Sequence, residues 1–401
     1  MAFESDNNAH KLSLNASWSM AVGGMIGGGI FSTLGVVIAV AGSWAWASFL
    51  IGGLIALATA HSYGRLTRHH GSAGGAFAYL HERDHQSAAK VAVWMLFIGY
   101  TLTVAVYAYT FGAYLADALG GPDWLKPVSA VAAIAILAGV NLIGVKESAG
   151  VEIFAVWAKL AILLALAGIG LLQWAPDQLA ASAGAASHQS HILGAVVGAA
   201  SVFMAYEGFQ LLAYDYDEME NPDRNVERAM IWAVASVILV YILVALGTAM
   251  LIGADAIIKN KEISLAIAGR AAAGTPGFIA VTIAAVLSTA SAINATIFST
   301  ARLGKRAAEE GGMPGVFNKT LADGVPWFAT VLIAGVAALL ALFGGLDPLV
   351  KAASFVFLTV FALVNILAVR RGAGETWISI GGAAGAILAA LVLAAHLAGL
   401  V

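Results

Sequence analysis

Two ionisable residues lie in stretches of sequence that otherwise offer them no water. Lys159 sits in Ile153-Phe154-Ala155-Val156-Trp157-Ala158-Lys159-Leu160-Ala161-Ile162, and Glu207 in Met204-Ala205-Tyr206-Glu207-Gly208-Phe209. A charge at membrane depth is costly and by default marks a functional position. Lys159 is a candidate for coupling proton movement to transport, or for standing as a fixed cation where another carrier holds sodium. Its structural alternative is to tie helix ends together through their carbonyls. Glu207 suits a cationic substrate or a shared proton, and equally suits hydrogen bonding between neighbouring helices.

The backbone around these residues carries a second kind of chemistry. Gly23-Gly24-Met25-Ile26-Gly27-Gly28-Gly29-Ile30-Phe31 has five glycines in its first seven residues. A continuous helix there costs about 1 kcal/mol per glycine relative to alanine. A helix broken at mid-membrane exposes N–H groups at one half-helix start and carbonyls at the other half-helix end. A break over Ile26, Gly27, Gly28, Gly29 and Ile30 is therefore a candidate cradle for a substrate carboxylate. A second break over Ala205 to Gly208 is a candidate ammonium site. Phe31, Met204, Tyr206 and Phe209 would then select the substrate side chain. Dense glycine also serves close helix packing, so two readings of the first stretch stand side by side.

Other polar residues are less pointed. Ser288, Ser291 and Asn294 lie in one apolar segment with Thr289, Thr296, Ser299 and Thr300. Hydroxyls are cheap in membrane helices and most serve as interhelix contacts; a subset could support the site. Asp215, Asp217, Glu218, Glu220 and Asp223 form a dense acidic loop. Taken alone it resembles the magnesium-diphosphate motif of membrane prenyltransferases. Such enzymes need a second acidic cluster, and the remaining acids are scattered singly. No histidine spacing supports a metal site, and no cofactor is implied. The chain has no cysteine, which excludes disulfides, thiolate metal sites and cysteine nucleophiles.

Positioning these residues requires a membrane. Of 401 residues, 60% are hydrophobic and only 11% charged, with a mean hydropathy of +0.87. An ordinary soluble domain carries roughly 25% charged residues, so this chain cannot cover a water-facing surface. Its solvent is lipid. The net charge of −3 and the lack of a basic tail argue against nucleic acid. Apolar segments fall near 17–40, 44–65, 90–119, 127–145, 150–173, 192–214, 227–252, 276–302, 326–344, 348–369 and 378–399. They predict an all-α integral membrane protein of about eleven transmembrane helices. The segment 71–80 is too short to span and is expected to be re-entrant or interfacial.

Lys and Arg set the orientation. With the N-terminus cytoplasmic, fourteen basic residues fall inside and five outside, Lys159 lying within a span. Residues 1–16 then form a short cytoplasmic leader, and an odd span count puts Val401 outside. The glycine-bearing interruptions fall in spans one and six, a pattern that points to two inverted five-helix repeats, 17–173 and 192–370, followed by an extra helix at 378–399.

Four stretches, in order, carry a family resemblance. They are Gly24 to Phe31 in the first span, Gly74-Gly75-Ala76-Phe77-Ala78-Tyr79-Leu80 before the third, Glu220-Asn221-Pro222-Asp223-Arg224-Asn225-Val226-Glu227-Arg228-Ala229 after the sixth, and Ala301-Arg302 through Gly311-Gly312-Met313-Pro314 after the eighth. Over nearly its whole length the chain resembles the amino acid–polyamine–organocation transporters. The resemblance implies the five-plus-five inverted-repeat fold with broken helices one and six, alternating access, and substrate bound at the two breaks. Some members carry a lysine in the fifth span linked to proton coupling or to replacement of a sodium site, and Lys159 matches it. Two features depart from the family: members commonly have twelve spans, and the position of Glu207 is often apolar. The expected protein is a secondary permease of amino acids or related amines in a prokaryotic-type inner membrane, proton-coupled or exchanging. A magnesium-dependent membrane enzyme and a non-transporting nutrient receptor are the alternatives.

Overall fold

The computed structural model describes residues 11–81, 86–144, 149–180 and 191–400. Most of the expected leader lies outside them. Its last residues do not: Ser13 caps the first helix by accepting from the Ala16 N–H at 3.2 Å. Leu12 pairs with the loop after the sixth span, donating to Glu218 O at 2.7 Å and accepting from Glu220 N at 2.9 Å.

The described chain is almost wholly helical. In order it forms α1 (Leu14–Ala41), α2 (Ala45–His70), α3 (Gly75–His81), α4 (Gln86–Ala118), α5 (Leu125–Ile143), α6 (Ala149–Leu172), α7 (His191–Ser201), α8 (Pro222–Lys259), α9 (Ser264–Glu309), α10 (Trp327–Phe343), α11 (Leu346–Arg371) and α12 (Thr376–Leu397). Among the described residues, eight helical stretches are long and apolar enough to cross a membrane, or nine if a bent pair counts as one span. The longest, Leu14–His70, contains both α1 and α2. The apolar segments expected from the sequence fall on these helices, except that the sixth, 192–214, is α7 followed by two short 3-10 turns. The short 71–80 element is α3, seven residues long.

The helices pack around a continuous apolar core, yet large apolar side chains such as Phe154, Trp232 and Leu388 face outward. An outward apolar surface on helices, which satisfy their backbone polar groups internally, suits lipid as solvent. Two helices outrun their apolar segments. α8 turns at Gly253 (φ 75°) and continues to Lys259, while α9 starts at Ser264, kinks at Ala273 and Gly274 ahead of Pro276, and runs on to Glu309.

The two expected breaks have different outcomes. The sixth span is interrupted: α7 ends at Ser201, two short 3-10 turns follow at Phe203–Tyr206 and Phe209–Ala213, and the two parts meet at 59°. The first span is not. α1 runs as one helix from Leu14 to Ala41 straight through Gly23 to Gly29, which corrects the expectation of a broken helix one. Its glycines are used for contact. A Cβ on Gly28 would lie 2.0 Å from the Tyr107 ring, one on Gly29 2.2 Å from the Tyr241 hydroxyl, and one on Gly27 2.9 Å from the Ala292 Cβ. The saving in close packing offsets the low helix propensity.

Candidate functional site

At the break in the sixth span, Glu207 is extended (φ −72°, ψ 140°) and Gly208 has φ 136°, a conformation that glycine reaches without strain. Gly208 also lies against α1. A Cβ on it would meet Met25 N at 2.8 Å and the Gly24 carbonyl carbon at 2.9 Å. Backbone thus touches backbone where the two spans cross.

Opening a helix orphans N–H and carbonyl groups, which must find partners at membrane depth. Side chains of α8 and α11, and one from the open segment itself, supply them. The Ser354 hydroxyl of α11 accepts from Met204 N and donates to Ser201 O, both at 3.0 Å. Gln210 Oε1 accepts from Gly208 N at 2.9 Å. The Tyr241 hydroxyl of α8 contacts Ala205 O at 2.8 Å and Met25 O at 2.7 Å, joining the break to α1.

Lys159 is buried and reaches α1 from α6, its Nζ donating to Gly23 O at 3.3 Å. The α1 carbonyls of Gly23 and Met25 therefore both receive side-chain donors, one turn ahead of Gly27 and Gly29. Glycine at those positions leaves the carbonyls open to a second partner.

Glu207 is fully enclosed, with 2% of its surface exposed. Gln210 Nε2 donates to its Oε1 at 3.1 Å and contacts the Tyr100 hydroxyl at 3.2 Å. The Tyr107 hydroxyl of α4 faces the same carboxyl, and the Tyr107 ring covers Gly28. Among the described residues, no cation forms an ion pair with Glu207. The result is a carboxyl among amide and phenol groups, between α1, α4 and the open segment.

Not every expected site residue converges here. Ile26, Gly27, Gly28, Gly29, Ile30 and Phe31 lie buried along α1, with Phe31 edge-on to Tyr114 at 5.9 Å. Met204 and Ala205 are held by the bridging hydroxyls. Tyr206 turns toward α2, its hydroxyl donating to Phe49 O at 2.6 Å. Phe209 packs on Tyr63 and Phe361 at 6.0 and 5.5 Å. These two aromatics face α2 and α11 and do not meet Glu207. The α9 candidates also divide. Ser288 is buried beside Gly27, Ser291 is half-buried, and Asn294 accepts from Asn141 of α5 at 2.7 Å.

Sequence reasoning missed Tyr100, Tyr107, Gln210, Tyr241 and Ser354. The two tyrosines of α4 stand seven residues apart, one helix face, and that spacing was an available signal. A single serine in an apolar span gives none.

The acidic loop after the break holds this end of the molecule together. Asp217 Oδ2 accepts from Ala73 N at 3.3 Å, and the Tyr216 hydroxyl donates to Asp223 Oδ1 at 2.5 Å. Burial, then the Asp223 carboxylate, pushes the Tyr216 hydroxyl up to about 12.

The chain matches the family model described as amino acid permease over residues 12–396. It is 28% identical to the inner membrane transport protein YbaT of Escherichia coli, over 92% of this chain and 86% of that one. It is 26% identical to the serine/threonine exchanger SteT of Bacillus subtilis, over the same shares. A methylthioribose transporter of Bacillus subtilis is 25% identical over 87% of this chain and 78% of its own. An all-α, multi-pass architecture with a helix opened against its neighbour agrees with that match, and the chain belongs to the amino acid permease family of secondary transporters.

Proposed function

We propose that this protein carries an amino acid or related amine across the cytoplasmic membrane by alternating access, with its N-terminus in the cytoplasm and two inverted five-helix repeats moving about the crossing of α1 and the opened sixth span. The observation that carries the reading is that crossing: Gly208 against Gly24, with Lys159 on the adjoining carbonyl. An element whose backbone is held open by borrowed hydrogen bonds can exchange them for bonds to a ligand at modest cost. Lys159 is assigned proton coupling, because it sits where gain or loss of its charge changes its grip on α1. The relatives named for serine/threonine exchange and for methylthioribose mark the small polar solutes such a site accommodates. The protein works as a carrier and not as an enzyme, since the loop acids Asp217 and Asp223 are engaged in local contacts.

Glu207 favours a substrate that brings a cation, since its carboxyl faces amide and phenol groups. Proteoliposome uptake of radiolabelled neutral and cationic amino acids and amines, with and without an inward proton gradient, tests both points. Saturable uptake enhanced by the gradient is expected, with Glu207→Gln shifting preference toward neutral substrates by about tenfold. Binding without uptake, even with counter-substrate inside, would turn the reading to a receptor.

A further inference from the structure

A cavity of about 300 Å³ lies between the end of α5, the last third of α9 and the start of α10, lined by Asn141, Ile143, Phe298, Arg302, Asp323 and Thr330 among others. It is separate from the crossing. Ala292 of α9 faces Gly27 of α1, and Ala301, which lines the cavity, lies nine residues further on. Nine residues are about two and a half helical turns, so the cavity occupies the reverse face of α9. The basic residues of this end place it at the cytoplasmic surface.

Its charges are unusual. The Arg302 guanidinium rests over the Phe298 ring at 3.8 Å. Asp323 lines the same space. Among the described residues neither makes an ion pair, and they do not close on each other. Pro326 and Thr330 at the start of α10 also line the space, and with Thr330 N already bonded to Pro326 O at 3.1 Å the positive pole among the lining residues is Arg302. One positive and one negative pole across an open volume complement a dipolar ligand better than a simple ion.

The surroundings are those of a lipid. Phe298, Leu287, Ile283 and Ile279 are all exposed on α9, and their spacing of four, four and eleven residues puts them on one stripe leading away from Arg302 toward mid-membrane. Ile143, 76% exposed, flanks the mouth from α5.

We propose that this cavity binds a phosphoethanolamine group, phosphate on Arg302 and ammonium on Asp323, with the acyl chains of an inner-leaflet phosphatidylethanolamine along the α9 stripe. A choline headgroup has no N–H to donate to Asp323, and a glycerol headgroup has no cation, so the site discriminates among lipids of equal chain length. The inference is independent of the transported substrate.

Native mass spectrometry of the detergent-solubilised full chain, titrated with phosphatidylethanolamine, phosphatidylcholine or phosphatidylglycerol of matched chains, reads it directly. The wild type is expected to prefer phosphatidylethanolamine over phosphatidylcholine by about fivefold, the scale of a charge-assisted hydrogen bond. Asp323→Asn, on an exposed loop, should abolish that preference. Arg302→Gln should weaken all three lipids, and Arg302→Lys should restore binding in part. Competition by millimolar soluble phosphoethanolamine would support the same chemistry with a cytosolic source, whereas its failure to compete beside a retained lipid preference would support the membrane source. Equal occupancy by the ethanolamine and choline lipids, or a preference unchanged in Asp323→Asn, would overturn the proposal.

Discussion

The first and sixth spans both carry glycine at mid-depth, and only the sixth opens. α1 holds five glycines within seven residues and stays helical, while the sixth span opens at a single Gly208. Glycine content therefore does not set the outcome. The difference lies in who replaces the lost bonds. Around Gly208, Ser354, Gln210 and Tyr241 supply donors and acceptors to the freed backbone. Along α1, Lys159 and Tyr241 donate to carbonyls, and no described side chain accepts from the N–H groups of Gly27 to Gly29. In lipid an unmatched N–H costs several kcal/mol, well above the helix penalty of the glycines. α1 keeps its own bonds and spends its glycines on contact.

The comparison can be broken most severely at Gly208. Gly208→Ala combines a disfavoured φ with a Cβ pressed on Met25 N, and should destabilise by about 3 kcal/mol or more, read as loss of thermal stability in detergent and of uptake. Gly168→Ala, inside α6 and meeting nothing within 4 Å, is its control and should be neutral or stabilising by up to about 1 kcal/mol.

Lys159→Ala should leave a folded protein that no longer responds to a proton gradient, with counter-flow exchange retained. Uptake that still follows the gradient in the variant would remove Lys159 from coupling and leave it a clamp on α1. Ser354→Ala sharpens the contrast more finely. It strips a donor and an acceptor from the break at once and should cost on the order of 2 kcal/mol. Thr33→Val, which keeps the buried volume and deletes an extra bond to Gly29 O in the intact helix, should cost about 0.5 kcal/mol; equal melting shifts would contradict the account given for the two spans.

The smallest effect concerns the loop that follows the break. The Tyr216 hydroxyl is raised to about 12 from its ordinary value of 10.0, so the folded state favours its protonated form. That contribution is complete below about pH 10 and is lost as pH rises toward about 12. The stability of the wild type should therefore fall more steeply between about pH 10 and about pH 12 than that of Tyr216→Phe, which lacks the contribution at every pH.

Much of this molecule was legible from residue order. Apolar length and scarcity of charge dictated a bundle of membrane helices, because lipid leaves the backbone no other partner than itself. Lys159 and Glu207 stood out since hydrocarbon makes any charge conspicuous, and Glu207-Gly208 marked the true break. What order could not show was company. Whether glycines open a helix or seat a neighbour depends on which side chains arrive from spans distant in sequence: Tyr107 on Gly28, Tyr241 on Met25, Ser354 between Ser201 and Met204. Tyr206 and Phe209, one and two residues from Glu207 in the chain, were turned to α2 and α11 by a backbone that is extended at Glu207, which local propensity does not record. The sequence by itself determined the solvent, the class of fold and the charges that solvent makes expensive. The tertiary structure alone decided which backbone groups were freed, because a helical hydrogen bond is given up in lipid only where a side chain, most often from another helix, brings its replacement.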